Sequence, residues 1–69
     1  MIPLYCLRKN DIFRFQSKSY KILDFFFEEE YDNEIEQWVL NSFAKTICIQ
    51  TGGIKNFPEN LIVKRLDTV

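Results

Sequence analysis

Apolar and polar residues alternate with period two along most of this chain, and the breaks in that alternation predict its elements. In "DIFRFQSKSYKILDFFFEE", Phe13 and Phe15 alternate with Arg14 and Gln16, while Tyr20 and Ile22 flank Lys21. The polar "SKS" separates the two runs, and alternation on both sides of a short polar break is the pattern of a β-hairpin. The second run ends in Phe25, Phe26 and Phe27. Neighbours on a strand point to opposite faces, so three in a row cannot all enter one core. A bulge at Asp24, burial under a loop, or contact with another molecule has to accommodate one side.

The second half of the chain repeats the pattern. In "KTICIQTGGIKNF", Ile47 and Ile49 alternate with Cys48 and Gln50, Gly52-Gly53 can take positive φ, and Ile54 and Phe57 resume the run. That is a second hairpin. "FPEN" follows as a tight turn around Pro58, whose φ is fixed and which has no N–H for a ladder. "LIVKRL" supplies a last short strand.

Residues 33–44, "NEIEQWVLNSFA", fit two elements. As a helix, Asn33 caps it, Glu36 completes a capping box, and Ile35, Trp38, Val39 and Phe43 share a face. As a strand, Trp38 and Leu40 face one way and Val39 and Asn41 the other. Trp, Val and Phe favour strands, and Asn41-Ser42 suits a bulge or turn. Five or so short strands in 69 residues predict an all-β fold, a small five-stranded closed barrel forming one domain over residues 1–69. The helical alternative makes it an α+β variant with a short helix at 33–42.

So short a chain buries only about 60% of its unfolded surface, which leaves a marginal core. Its hydrophobic fraction of 46% and aromatic fraction of 16% argue against disorder. Nothing in "MIPLYCLRKN" resembles a secretory signal, and no apolar run approaches the roughly 18 residues of a membrane span. The expectation is a soluble, cytoplasmic chain without membrane contact, with Cys6 and Cys48 as free, mostly buried thiols. Net charge is −1, but "EEEYDNEIE" at 28–36 holds six acids and no base. The rest carries nine bases against four acids. The acidic stretch reads as a solvated loop, or as a patch that meets a basic partner or mimics nucleic-acid charge.

Catalysis has little to work with. The chain has no His, no CxxC for a zinc site, no G-x-S-x-G, and a "TGG" without the lysine of a phosphate loop. Glu28, Glu29 and Glu30 are adjacent carboxylates of the kind found on solvent loops. The expectation is a non-enzymatic protein with no cofactor and no metal.

The order of features resembles a Src-homology-3 (SH3) domain. "PLYCL" is similar to the opening strand of that family, Trp38 to the tryptophan heading its third strand, and "FPEN-LIV" to its closing segment. Leu4, Tyr5, Trp38, Phe57, Pro58, Asn60 and Ile62 carry the likeness across residues 3–66. The resemblance implies a groove lined by Tyr5, Trp38, Pro58 and Asn60 for an extended, polyproline-like peptide. Leu7 and Leu61 stand where the family has tyrosines, and the family's acidic loop after the first strand shrinks to about "RKN". Trp38 also reads as plain core, and Pro58 and Asn60 as turn residues.

A protein-interaction module is therefore expected: an adaptor, assembly factor or inhibitor. Its candidate partner-binding residues are Tyr5, Trp38, Pro58, Asn60, Phe25, Phe27, Glu29 and Glu30, with self-association through the Phe25–Phe27 strand as one outcome. The alternative is a small nucleic-acid-binding barrel. Arg14 and Lys21 would share a face on the first hairpin, with Lys45, Lys64 and Arg65 on later strands.

Overall fold

Each polar break in the alternation turns the chain back on itself, and the hairpins add up to one antiparallel sheet. The computed structural model describes residues 1–66; the last three positions of the predicted domain lie outside the described residues. Among the described residues six strands lie in the order β1-β6-β2-β3-β4-β5. They are β1 (Ile2–Pro3), β2 (Ile12–Phe15), β3 (Lys18–Asp32), β4 (Gln37–Cys48), β5 (Ile54–Pro58) and β6 (Ile62–Leu66). All-β is therefore right, but the closed five-stranded barrel is not: the sheet is open, with β1 and β5 as its outer strands. Pro58 has no N–H to extend the ladder, and the chain turns there, with Leu61 N–H donating to the Pro58 carbonyl at 3.0 Å. Past the Pro3–Ile62 pair the chain stays bonded to the β5–β6 turn: Leu4 N–H donates to Leu61 O at 2.9 Å and Tyr5 N–H to Glu59 O at 3.0 Å.

The predicted opening strand is also corrected. Only Ile2–Pro3 pair with β6, and Leu4–Cys6 form a single 3₁₀ turn closed by Leu7 N–H on Leu4 O at 2.9 Å. That turn drives Leu4 and Leu7 into the core and leaves Cys6 exposed, so of the two free thiols only Cys48 is buried. The first hairpin turns at Gln16-Ser17, one step before the predicted "SKS", with φ of 50° and 69°. Those are the angles of a primed turn, reached here without Gly or Asn.

The helical alternative for 33–42 fails. Residues 33–36 form the turn between β3 and β4, with Glu36 at φ 53°, and Trp38 to Ala44 lie within β4. The acidic "loop" is likewise mostly strand: Glu28, Glu29 and Glu30 lie in β3 opposite Asn41, Leu40 and Val39. The bulge expected near Asp24 is present, as a register shift between Ile22 and Asp24. It flips the strand's parity, so Ile22 and Phe25 both turn inward.

The core is small and aromatic. Leu4, Leu7, Phe13, Tyr20, Ile22, Ala44, Cys48, Phe57 and Val63 form it, with Ile2, Phe15, Phe25 and Leu61 packed at its margin. Phe57 sits edge-on to Phe13, Phe15 and Tyr20, with centroids at 5.8, 5.5 and 4.9 Å. On β4 the inward residues are Ala44, Thr46 and Cys48, not the isoleucines; Ile49 and Ile54 are exposed. Thr46 enters the core because its hydroxyl donates to the Lys55 carbonyl at 2.7 Å.

β3 and β4 outrun their neighbours. β2 pairs only with Lys18 to Lys21 of β3, and β5 only with Phe43 to Ile47 of β4. The remainder projects as a two-stranded arm. The molecule measures 46 × 23 × 20 Å with a radius of gyration of 13.5 Å, against about 11 Å for a compact chain of this length.

Candidate functional site

Cross-strand partners in an antiparallel pair share a face, so the register sorts the arm's side chains. On the face continuous with the core, Phe25 opposes Ala44, then Phe27 opposes Ser42, Glu29 opposes Leu40, and Tyr31 opposes Trp38. On the other face, Phe26 opposes Phe43, then Glu28 Asn41, Glu30 Val39, and Asp32 Gln37. The arm is thus amphipathic. Its inner face is aromatic and its outer face acidic.

The inner face is the core's own apolar row continued past the point where anything covers it. Phe27 is 68% exposed, Leu40 57%, Tyr31 48% and Trp38 70%. Tyr31 and Trp38 form an edge-to-face pair at 5.5 Å near the tip. Trp38 is therefore a displayed side chain and not core.

At the arm's base lies a shallow cleft of about 400 Å³, lined by Tyr5, Leu40, Asn41, Ser42, Phe43, Pro58, Glu59 and Asn60. It is the gap left where β5 ends and β4 runs on: Glu59 N–H donates to Ser42 O at 3.0 Å, and beyond it the β4 edge has no strand beside it. Three of the predicted groove residues, Tyr5, Pro58 and Asn60, meet here. Trp38 does not line the cleft but lies two residues farther out, on the same face of β4 as Leu40. Phe25 is half-buried at the core margin, whereas Phe27 is displayed. Glu29 lies on the aromatic face and Glu30 on the acidic one, where it accepts a hydrogen bond from Asn41 Nδ2 at 3.2 Å.

Tyr31 and Leu40 stand on this face but are not among the binding residues expected from the sequence. Leu40 carries a usable signal, its i, i+2 relation to Trp38, but Tyr31 is hidden in an acidic run and becomes visible only through its pairing.

The bases occupy the opposite end of the outer face. Arg14 opposes Lys64 and Ser19, Lys21 opposes Ile12 and Ile47, and Lys45 opposes Asp24 and Asn56. Arg65 alternates to the inner side with Val63, at 4.0 Å from Asp11, the only ion pair among the described residues. Near the β4–β5 turn, a side-chain hydrogen bond with Thr51 holds the Cys48 thiol below its ordinary range, burial opposing it and the Thr51 and Gln50 backbone and the Lys18 charge assisting. Among the described residues no group of three or more His, Cys, Asp or Glu is placed to hold a metal ion, and no helix is long and apolar enough to cross a membrane. Compared with protein-family models, curated proteins and solved structures, the chain matches none.

Proposed function

We propose that this chain is a non-enzymatic protein-interaction module that docks a partner protein on the inner face of its β3–β4 arm. One observation carries the proposal: four large apolar side chains, Phe27, Tyr31, Leu40 and Trp38, stand uncovered on one face of a projecting ribbon. Covering them in a complex removes apolar area from water at roughly 25 cal/mol per Å², and Trp and Tyr are the side chains most often dominant in interfaces. The cleft at the arm's base extends this surface. An extended segment of the partner can lie along the open edge of β4, between Leu40 and Tyr5, Pro58 and Asn60, and take up its free backbone groups. Tyr5, Pro58 and Asn60, which the SH3 resemblance implies for a peptide groove, border this slot, with the aromatic ridge beyond it.

Trp38 is the only tryptophan, so its fluorescence reports this face directly. Capture from host lysate by the tagged chain, with and without nuclease, is expected to retain a protein that Trp38→Ala and Leu40→Ser variants lose. Retention of the partner by both folded variants refutes the proposal.

A second reading has its own observation. Arg14, Lys21, Lys45 and Lys64 share the outer face of the sheet, which suits a nucleic-acid backbone. Four phosphate contacts to a single strand give a log–log salt slope of roughly −3. Binding that vanishes with nuclease and shows that slope selects this reading over the first.

A further inference from the structure

The outer face of the sheet is divided by charge along its length. From the arm's tip inward it carries Asp32, Glu30 and Glu28, then the Phe26–Phe43 pair stacked at 5.4 Å, then Lys45 beside Asp24, then Lys21, then Arg14 and Lys64. None of these acids or bases forms an ion pair among the described residues. Arg14 and Lys64 even stand directly opposite one another, an arrangement that disfavours the sheet in the absence of an anion. Between the charged ends, Phe26, Glu28, Lys45, Asp24, Ile54 and Asn56 line a depression of about 400 Å³, so aromatic, acid and base lie on one surface.

From this pattern we infer that the outer face binds a second copy of the same chain, face to face about a two-fold axis through the Phe26–Phe43 row. The axis reverses the strand direction, so the acidic arm of each copy overlies the basic body of the other. Counting residues from Phe26 along the outer face gives the match. Glu30 lies four positions outward, and the Lys21–Ile47 pair lies four positions inward on β4 from Phe43. Asp32 lies six outward, against the row that holds Ser19 and its neighbour Arg14. Glu28 falls over Asp24, with Lys45 beside it to separate the two carboxylates. An isologous contact uses the same patch twice, so every such attraction occurs twice. Val39 and Ile47, four positions to either side of Phe43 on β4, overlie one another across the axis and add apolar contact outside the central phenylalanines, with Ile54 beside Ile47 on β5. The inner face and Trp38 remain free, so this contact stands or falls independently of the partner-docking surface.

Sedimentation velocity over a concentration series tests it. The native chain is expected to dimerise at about 50 mM salt and to dissociate at about 500 mM, where screening is several-fold shorter in range. Glu28→Lys/Glu30→Lys and Lys21→Glu/Lys45→Glu, each a double change at outer-face positions, are expected to be monomeric alone. Mixed in equal amounts they should form a heterodimer, because one variant's basic arm then meets the other's acidic body and the reverse. That restoration also proves that both variants fold. A native chain that is monomeric throughout, doubles that still self-associate, or a mixture that stays monomeric overturns the inference. So does loss of the dimer in Trp38→Ala, which would place the contact on the aromatic face instead.

Discussion

β3 and β4 run through two regions of this molecule, and the same alternation has opposite consequences in each. In the body, Ile22, Ala44 and Thr46 are wholly buried because the 3₁₀ turn, β2, β5 and β6 close over them. In the arm, Phe27 and Trp38 occupy the equivalent face and are 68% and 70% exposed because nothing lies opposite. The difference is not in the strands but in whether side chains from other elements pack against that face. Period two selects the face a side chain takes; topology decides whether that face is a core or a surface on display.

Substitution should separate the two regions most sharply. Phe13→Ala, at a wholly buried ring, is expected to cost about 3–5 kcal/mol, comparable to the whole stability of so small a domain, and to unfold the chain in a urea titration. Trp38→Ala should change the stability read from the same titration by no more than about 0.5 kcal/mol. A large loss at Trp38 would mean that the arm's aromatic face is packed against the body. Thr46→Val sharpens the body side of the comparison. It keeps the shape but removes the hydroxyl's hydrogen bond to the Lys55 carbonyl, for an expected loss of about 1 kcal/mol.

At the Gln16-Ser17 turn, two residues with side chains hold positive φ. Replacement by Asn-Gly, which suits a primed turn, should stabilise the body by about 1 kcal/mol without affecting the arm. The smallest effect belongs to the thiols. Exposed Cys6 should react with a thiol reagent at once, and buried Cys48 only as the fold opens. The Cys48 pKa is lower in the folded chain than its ordinary 9.0, so its contribution is full above 9.0 and is lost as pH falls through the folded value. Relative to Cys48→Ala, the native chain should therefore gain a little stability as pH rises toward 9.0.

Much of the body was legible in the sequence. Both hairpins, the Gly52 turn, the turn after Pro58, the last strand and the bulge before the triple Phe all follow from alternation and turn chemistry. The arm was only half legible. Its faces were readable, since Trp38 and Leu40 fall on one side, but Glu28–Glu30 have poor strand propensity and resemble a loop until "WVLNS" pairs with them. The 3₁₀ turn at Leu4–Cys6 was equally hidden, because it depends on contacts with the distant Leu61 and Glu59. Closure of the barrel was not decidable locally either; it fails where β5 stops at Pro58. Of the four groove residues that the SH3 resemblance implies, Tyr5, Pro58 and Asn60 line one cleft and Trp38 does not, whereas Tyr31 becomes visible only through the register.

We expect the arm's aromatic face to stay uncovered until a partner protein takes it. Acrylamide quenching of Trp38 in the isolated chain, and again in the complex captured from its host, tests this most directly. Quenching close to that of a free indole is expected in the isolated chain, and strong protection in the complex. Protection in the isolated chain, or no change on complex formation, would contradict it.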